Sequence, residues 1–158
     1  MKLTAAHIFL VCVLTVYPLN VVPPAWTLGT PRVLERPQLI AWASLAGFID
    51  GCDYAVYRLS LSMTEKVRTI GLKAFEGPNA KPISNSERNP YSKWAQTPVP
   101  LDEPVYALNS GGCNGPGYSF DLQKVAGGNT SYFSLSRNHE GIWLVDTVEG
   151  IVVFSYSG

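Results

Sequence analysis

Apolar and polar positions follow two different rhythms along this 158-residue chain, and the switch between them divides it. Around Tyr57-Arg58-Leu59-Ser60-Leu61 the period is two, with Tyr57, Leu59 and Leu61 on one side, which predicts a strand. Immediately afterwards the period lengthens. Met63, Val67, Ile70 and Ala74 recur at helical spacing, while Glu65, Lys66, Arg68 and Lys73 lie off that stripe. Ser62 with Glu65 three residues on has the form of a capping box, so a helix is predicted from Ser62 to Phe75, stopped by Gly77-Pro78. The apolar stripe reads as core packing. Period two returns in the second half, where Val105–Asn109, Tyr118–Lys124, Ser131–Ser136, Ile142–Asp146 and Ile151–Tyr156 are strand candidates separated by turns.

The remaining stretches carry weaker patterns. Leu39–Ala46 is a short apolar run that fits a helix or a buried strand equally well. Pro23, Pro24, Pro31 and Pro37 mark residues 23–38 as an extended leader. Residues 77–104 hold six prolines and read as a long irregular connection that Tyr91 and Trp94 anchor to the domain. Strand, single helix, long loop and antiparallel meander together predict an α+β fold, with one amphipathic helix packed on a twisted antiparallel sheet.

The N-terminus has a separate logic. Met1-Lys2 is followed by a nearly unbroken apolar run from Ala5 to Tyr17 that Pro18 closes. A membrane-spanning helix needs about 20 apolar residues, and this run falls short of that. Its size and flanks instead fit a cleavable signal peptide over residues 1–25, with the cut between about residues 20 and 30. An extended segment over 26–47 and one domain over 48–158 would follow, and no membrane anchor is expected.

Cysteine use agrees with export. Loss of Cys12 with the signal leaves Cys52 and Cys113, an even pair suited to an oxidising compartment. A bridge between them would close a loop of about 60 residues and stabilise by roughly 4 kcal/mol on a loop-entropy account. Asn129-Thr130-Ser131 is an N-glycosylation sequon beside Gly127-Gly128, which suggests a surface turn.

Formal net charge is zero, but its distribution is uneven. Residues 32–93 carry nine Lys/Arg and six Asp/Glu, whereas residues 101–158 carry two and six. A nucleic-acid binder usually shows a clearer basic face. Any RNA affinity is therefore expected to be weak and to come from Arg58, Lys66, Arg68, Lys73 or Lys81.

Candidate chemistry is sparse. After signal removal His139 is the one imidazole left, in the predicted turn Arg137-Asn138-His139-Glu140-Gly141. A serine triad would depend on it, and no Gly-x-Ser-x-Gly elbow is present. One His and two cysteines do not make a zinc set. Gly111-Gly112 and Gly115-Pro116-Gly117 lack the Lys-Ser/Thr of a phosphate loop and read as a tight turn. No cofactor or metal is expected.

The segment Gly51-Cys52-Asp53-Tyr54-Ala55-Val56-Tyr57, the helix after it, the turn 111–117 before Tyr118-Ser119-Phe120-Asp121-Leu122, then Tyr132-Phe133-Ser134-Leu135 and Trp143 follow a known layout. It resembles that of the ribonuclease-like effectors of powdery mildew fungi, the ribonuclease-like proteins associated with haustoria. These are related in fold to the fungal guanyl-preferring ribonucleases. The aromatic-x-Cys form itself is missing, since Asp50 stands two residues before Cys52. The resemblance implies a microbial ribonuclease-like fold. It places the family's base near Glu103, its arginine near Tyr118 and its acid histidine near Leu135 or Ser136. Tyr, Leu and Ser cannot do that chemistry.

The resemblance therefore implies a catalytically inactive, secreted fungal effector. It would be a monomer that acts in virulence by binding a plant-host protein, with RNA a weaker second partner and delivery into host cells a further expectation. The runner-up is an active secreted ribonuclease or other hydrolase using Glu103 and His139 as base and acid. A third reading is an extracellular carbohydrate-binding module with Trp94, Tyr91 and Trp143 as stacking platforms.

Overall fold

The computed structural model describes residues 30–45, 51–78, 80, 90–100, 105–109 and 121–158. Its centre is a six-stranded, wholly antiparallel sheet in the order β1-β2-β6-β5-β4-β3. The strands are β1 (Gln38–Leu45), β2 (Cys52–Arg58), β3 (Ala95–Gln96), β4 (Tyr132–Leu135), β5 (Gly141–Asp146) and β6 (Ile151–Ser157). With a main helix α1 (Leu61–Ile70) and a short α2 (Leu122–Gly127), the fold is α+β.

The sheet buries both faces. Tyr54, Val56, Ile142, Leu144, Ile151 and Val153 point to one core, under α2 and a 3-10 turn at Tyr106–Asn109. Ala55, Tyr57, Trp143, Val145 and Val152 point to the other, under α1. Successive residues along a strand face opposite ways, so a strand between two cores reads as a continuous apolar run. All six residues of β5 are buried for that reason. The sequence pattern predicts one helix on one face. The second layer comes from residues 105–109 and 121–127, both of which differ from the strands predicted there.

Each difference has a local cause. Asp121 Oδ1 accepts a hydrogen bond from Lys124 N at 2.9 Å, an N-cap that starts α2. Leu122 and Ala126, four residues apart, then share its buried face. The apolar alternation through Tyr118, Phe120 and Leu122 is what suggests a strand; residues 118–120 lie outside the described residues. At 105–109 the chain tightens into the 3-10 turn, with Leu108 N donating to Val105 O.

The main helix starts earlier than predicted. Ser60, not Ser62, is its N-cap: Ser60 Oγ accepts from Met63 N at 3.1 Å. Glu65 therefore does not occupy the capping-box position. Met63 and Val67 are buried as the stripe predicts, but Ile70 is 45 % exposed. The α-helix ends there because Gly71 takes φ +58, and residues Gly71–Phe75 continue as a 3-10 helix. The tighter winding turns Ala74 and Phe75 back onto the core. Ser60→Ala should lower stability in urea denaturation by about 1 kcal/mol. Ser62→Ala should stay within about 0.5 kcal/mol, since Ser62 is exposed. The reverse order would return the cap to Ser62.

The apolar run at 38–45 resolves as strand β1, paired to β2 with a bulge between Leu39 and Ala41. The part of the leader that is described also packs. Val33 and Leu34 form a 3-10 turn with Arg32 and are buried in the core under α1. The strand predicted at 57–61 lies earlier, at β2, because Leu59 and Ser60 already lead into the helix cap. Strands β4, β5 and β6 fall where the turns place them. Among the described residues no helix is long and apolar enough to cross a membrane.

Candidate functional site

Where β3 and β4 meet at the edge of the sheet lies a groove of about 730 Å³. One wall is the segment 90–95, the other the turn between β4 and β5. Tyr91 bridges to Ser136, Ser92 N donates to Leu135 O at 2.8 Å, and Arg137 N donates to Pro90 O at 3.2 Å. Side chains reinforce this. Ser134 Oγ donates to Ser92 O, and Ser92 Oγ accepts from Leu135 N. The proline-rich connection is thus held to the strand by its own serine.

The opposite wall is a tightly closed turn. Ser136 Oγ accepts from Gly141 N and donates to Asn138 Oδ1, both at 2.8 Å, while His139 N donates to Ser136 O at 3.0 Å. His139 sits at φ +62, the left-handed region in which His is one of the few side-chain-bearing residues found with any frequency. Its carbonyl accepts from Ala107 N at 3.3 Å, so the helical layer below the sheet braces the turn.

Phe133, Leu135 and Pro100 give the groove part of its lining as apolar surface. Lys93, Arg137 and His139 line it, and among its described lining residues there is no carboxylate. Glu140, next to His139, is not among the described lining residues. Its carboxylate accepts from Asn138 Nδ2 and, at 3.3 Å, from Tyr156 Oη. Burial first, and then the Glu140 carboxylate, push the Tyr156 phenol above its ordinary value. Burial, then Tyr156, raises the Tyr91 phenol strongly. Both phenols stay neutral around pH 7. Lys93 and Arg137 are thus the charged side chains among the described lining residues of the groove.

The other predicted residues are dispersed. Arg58 is exposed at the end of β2, and Lys73 is exposed in the 3-10 helix after α1. Lys66 pairs with Glu35 at 3.1 Å. Arg68 is committed to the fold. Its Nε and Nη2 donate to Thr147 O and Val148 O, both at 3.1 Å, clipping α1 to the β5–β6 turn. Lys81, Glu103 and Cys113 lie outside the described residues. Cys52 opens β2, half-buried. Asn129 is exposed in the turn after α2, where its carbonyl accepts from Gln96 Nε2.

Two of the three aromatic platforms of the third reading, Trp143 and Trp94, turn inward, while Tyr91 is half-buried and lines the groove. Trp143 is 3 % exposed between Tyr57 and Phe154, and Trp94 is 6 % exposed, stacked on Phe75 with its Nε1 donating to Ala80 O. Neither offers an open ring face to a sugar. Among the described residues no group of three or more His, Cys, Asp or Glu stands close enough to hold a metal ion.

Sequence reasoning picks out Arg137, His139 and Tyr91 but misses Lys93. Nothing in the linear pattern marks Lys93, because it reaches the groove only through the Ser92 pairing to β4. No known protein family matches the chain, and neither does any curated protein or solved structure.

Proposed function

We propose that the protein is a secreted fungal effector that works by binding a host protein and turns over no RNA. The observation that carries the binding reading is the groove in which Lys93 and Arg137 stand beside the apolar side chains of Phe133, Leu135 and Pro100. Such a site suits an acidic segment with an apolar or aromatic side chain, which matches charge and buries carbon at once. The secreted and effector parts rest on the N-terminal apolar run and on the family resemblance, and the Cys52–Cys113 bridge is kept as part of the same proposal. Against catalysis stands the resemblance itself: the positions it assigns to the family's arginine and acid histidine hold Tyr118 and Leu135 or Ser136, and acid–base transfer needs two groups of suitable pKa across one phosphate.

The test uses two probes, a labelled acidic peptide containing aromatic residues and a labelled single-stranded RNA. The wild type should bind the peptide, and Lys93→Glu with Arg137→Glu should weaken it by about tenfold or more. RNA should stay intact in the presence of wild type, and RNA affinity should be lower and fall steeply with salt. RNA cleavage that disappears in His139→Ala would instead establish the hydrolase reading with Glu103 and His139.

A further inference from the structure

We infer that two copies of this chain pair through β1, edge to edge and antiparallel, into one continuous sheet. This inference concerns the side of the sheet opposite the groove and is independent of it.

The two edges of the sheet are built differently. At the β3 end the edge strand is two residues long, and Pro98, which has no N–H, follows it almost at once. Short strands and prolines are the usual means of keeping an edge closed to other chains. At the other end β1 is eight residues long, and no hydrogen bond reaches its outer edge from any described residue. Gln38–Leu45 contains no charged residue and no proline. Its bulge is confined to Leu39–Ala41, and from Ala41 to Leu45 the register with β2 is unbroken. A row of regularly spaced donors and acceptors is thus left facing outward.

The side chains of β1 point to the same kind of partner. Leu39 and Trp42 pack partly against the core under α1, while Ile40, Ala41 and Ala43 pack partly against the opposite core. Both cores therefore run out to this edge half-covered. A strand with the same two-sided apolar pattern would extend both, and β1 of a second copy has that pattern by definition.

Charge selects the orientation. The N-terminal end of β1 is flanked by exposed Arg36 and by Arg58, the β2 partner of Gln38. Its C-terminal end is flanked by Asp53, the β2 partner of Ser44. A two-fold axis near the middle of the strand sets the basic end of each copy beside the acidic end of the other. Antiparallel pairing is also the form a symmetric dimer gives. The monomer expected from sequence is not what this edge supports.

Sedimentation of the purified protein over a range of concentrations tests the inference, together with hydrogen exchange across residues 38–45. The protein should reach twice its single-chain mass, and successive β1 amides should be protected alike. In a monomer the outward-pointing amides exchange fast. Gln38→Lys combined with Ser44→Lys places like charges along the seam at two exposed positions, so the fold should survive. It should raise the dimer dissociation constant by at least about tenfold. A monomer at every concentration overturns the inference. So does a dimer indifferent to the lysines with fast-exchanging β1 amides. Protection of β1 that appears only on adding a host protein also overturns it, and assigns the edge to a foreign strand.

Discussion

Met63→Ala should destabilise the protein by about 2–5 kcal/mol, whereas Ile70→Ala should stay within about 1 kcal/mol. The two residues look equivalent in the linear pattern, one at each end of the same helical stripe. In the fold they are not. Met63 is fully buried among the residues under α1, and its truncation would leave a cavity between the helix and the sheet. Ile70 is 45 % exposed, at the point where the α-helix gives way to the 3-10 turn. Truncating it removes little buried carbon. Urea unfolding of both variants, with the slope of the transition checked for constancy, reads the difference directly. Equal losses would mean that the helix continues unbroken past residue 70 and turns Ile70 inward.

What the sequence makes legible follows from how local each cause is. Strands β4 to β6 are separated by turns rich in Gly, Asn and Glu, and their limits come from those neighbours alone. The α1 stripe is legible up to Val67 for the same reason. The start of α1 is misplaced because Ser62 has the capping-box Glu65 three residues on, whereas Ser60 has Met63 there. Which one closes the helix depends on where Leu59 packs, and Leu59 is buried in the core under α1. The second layer at 105–109 and 121–127 is missed because its helical segments are too short to show a period. Only the open face of the sheet makes them necessary.

The groove is half legible. Arg137 and His139 are neighbours in sequence, so their turn can be found. Lys93 joins them across more than forty positions, through the pairing of Ser92 to β4. Glu140 accepts from Tyr156, which lies on a different strand. Charges counted along the chain cannot reveal which side chains a carboxylate bonds.

Gly141→Ala should damage both stability and binding, although it touches none of the groove's charges. Gly141 begins β5 and is buried where the Tyr91 ring crosses it. A Cβ there would stand 3.2 Å from Tyr91 Cζ and closer still to its hydroxyl. The tyrosine cannot yield cheaply, because its own backbone bridges to Ser136 and Pro90 O is bonded to Arg137 N. Overpacking of this kind typically costs about 1–3 kcal/mol. The strain would be relieved by moving residues 90–93 outward, which opens the groove wall and carries Lys93 away from Arg137. Peptide binding should therefore weaken along with stability. Adding Tyr91→Phe to Gly141→Ala removes the closest atom and should recover part of both losses, whereas Tyr91→Phe alone should leave binding nearly unchanged. A double-mutant cycle on thermal unfolding measures that coupling, and peptide titration follows the site. A stable, fully binding Gly141→Ala protein would show that Tyr91 does not lie across Gly141, and the groove wall would have to be rebuilt without it.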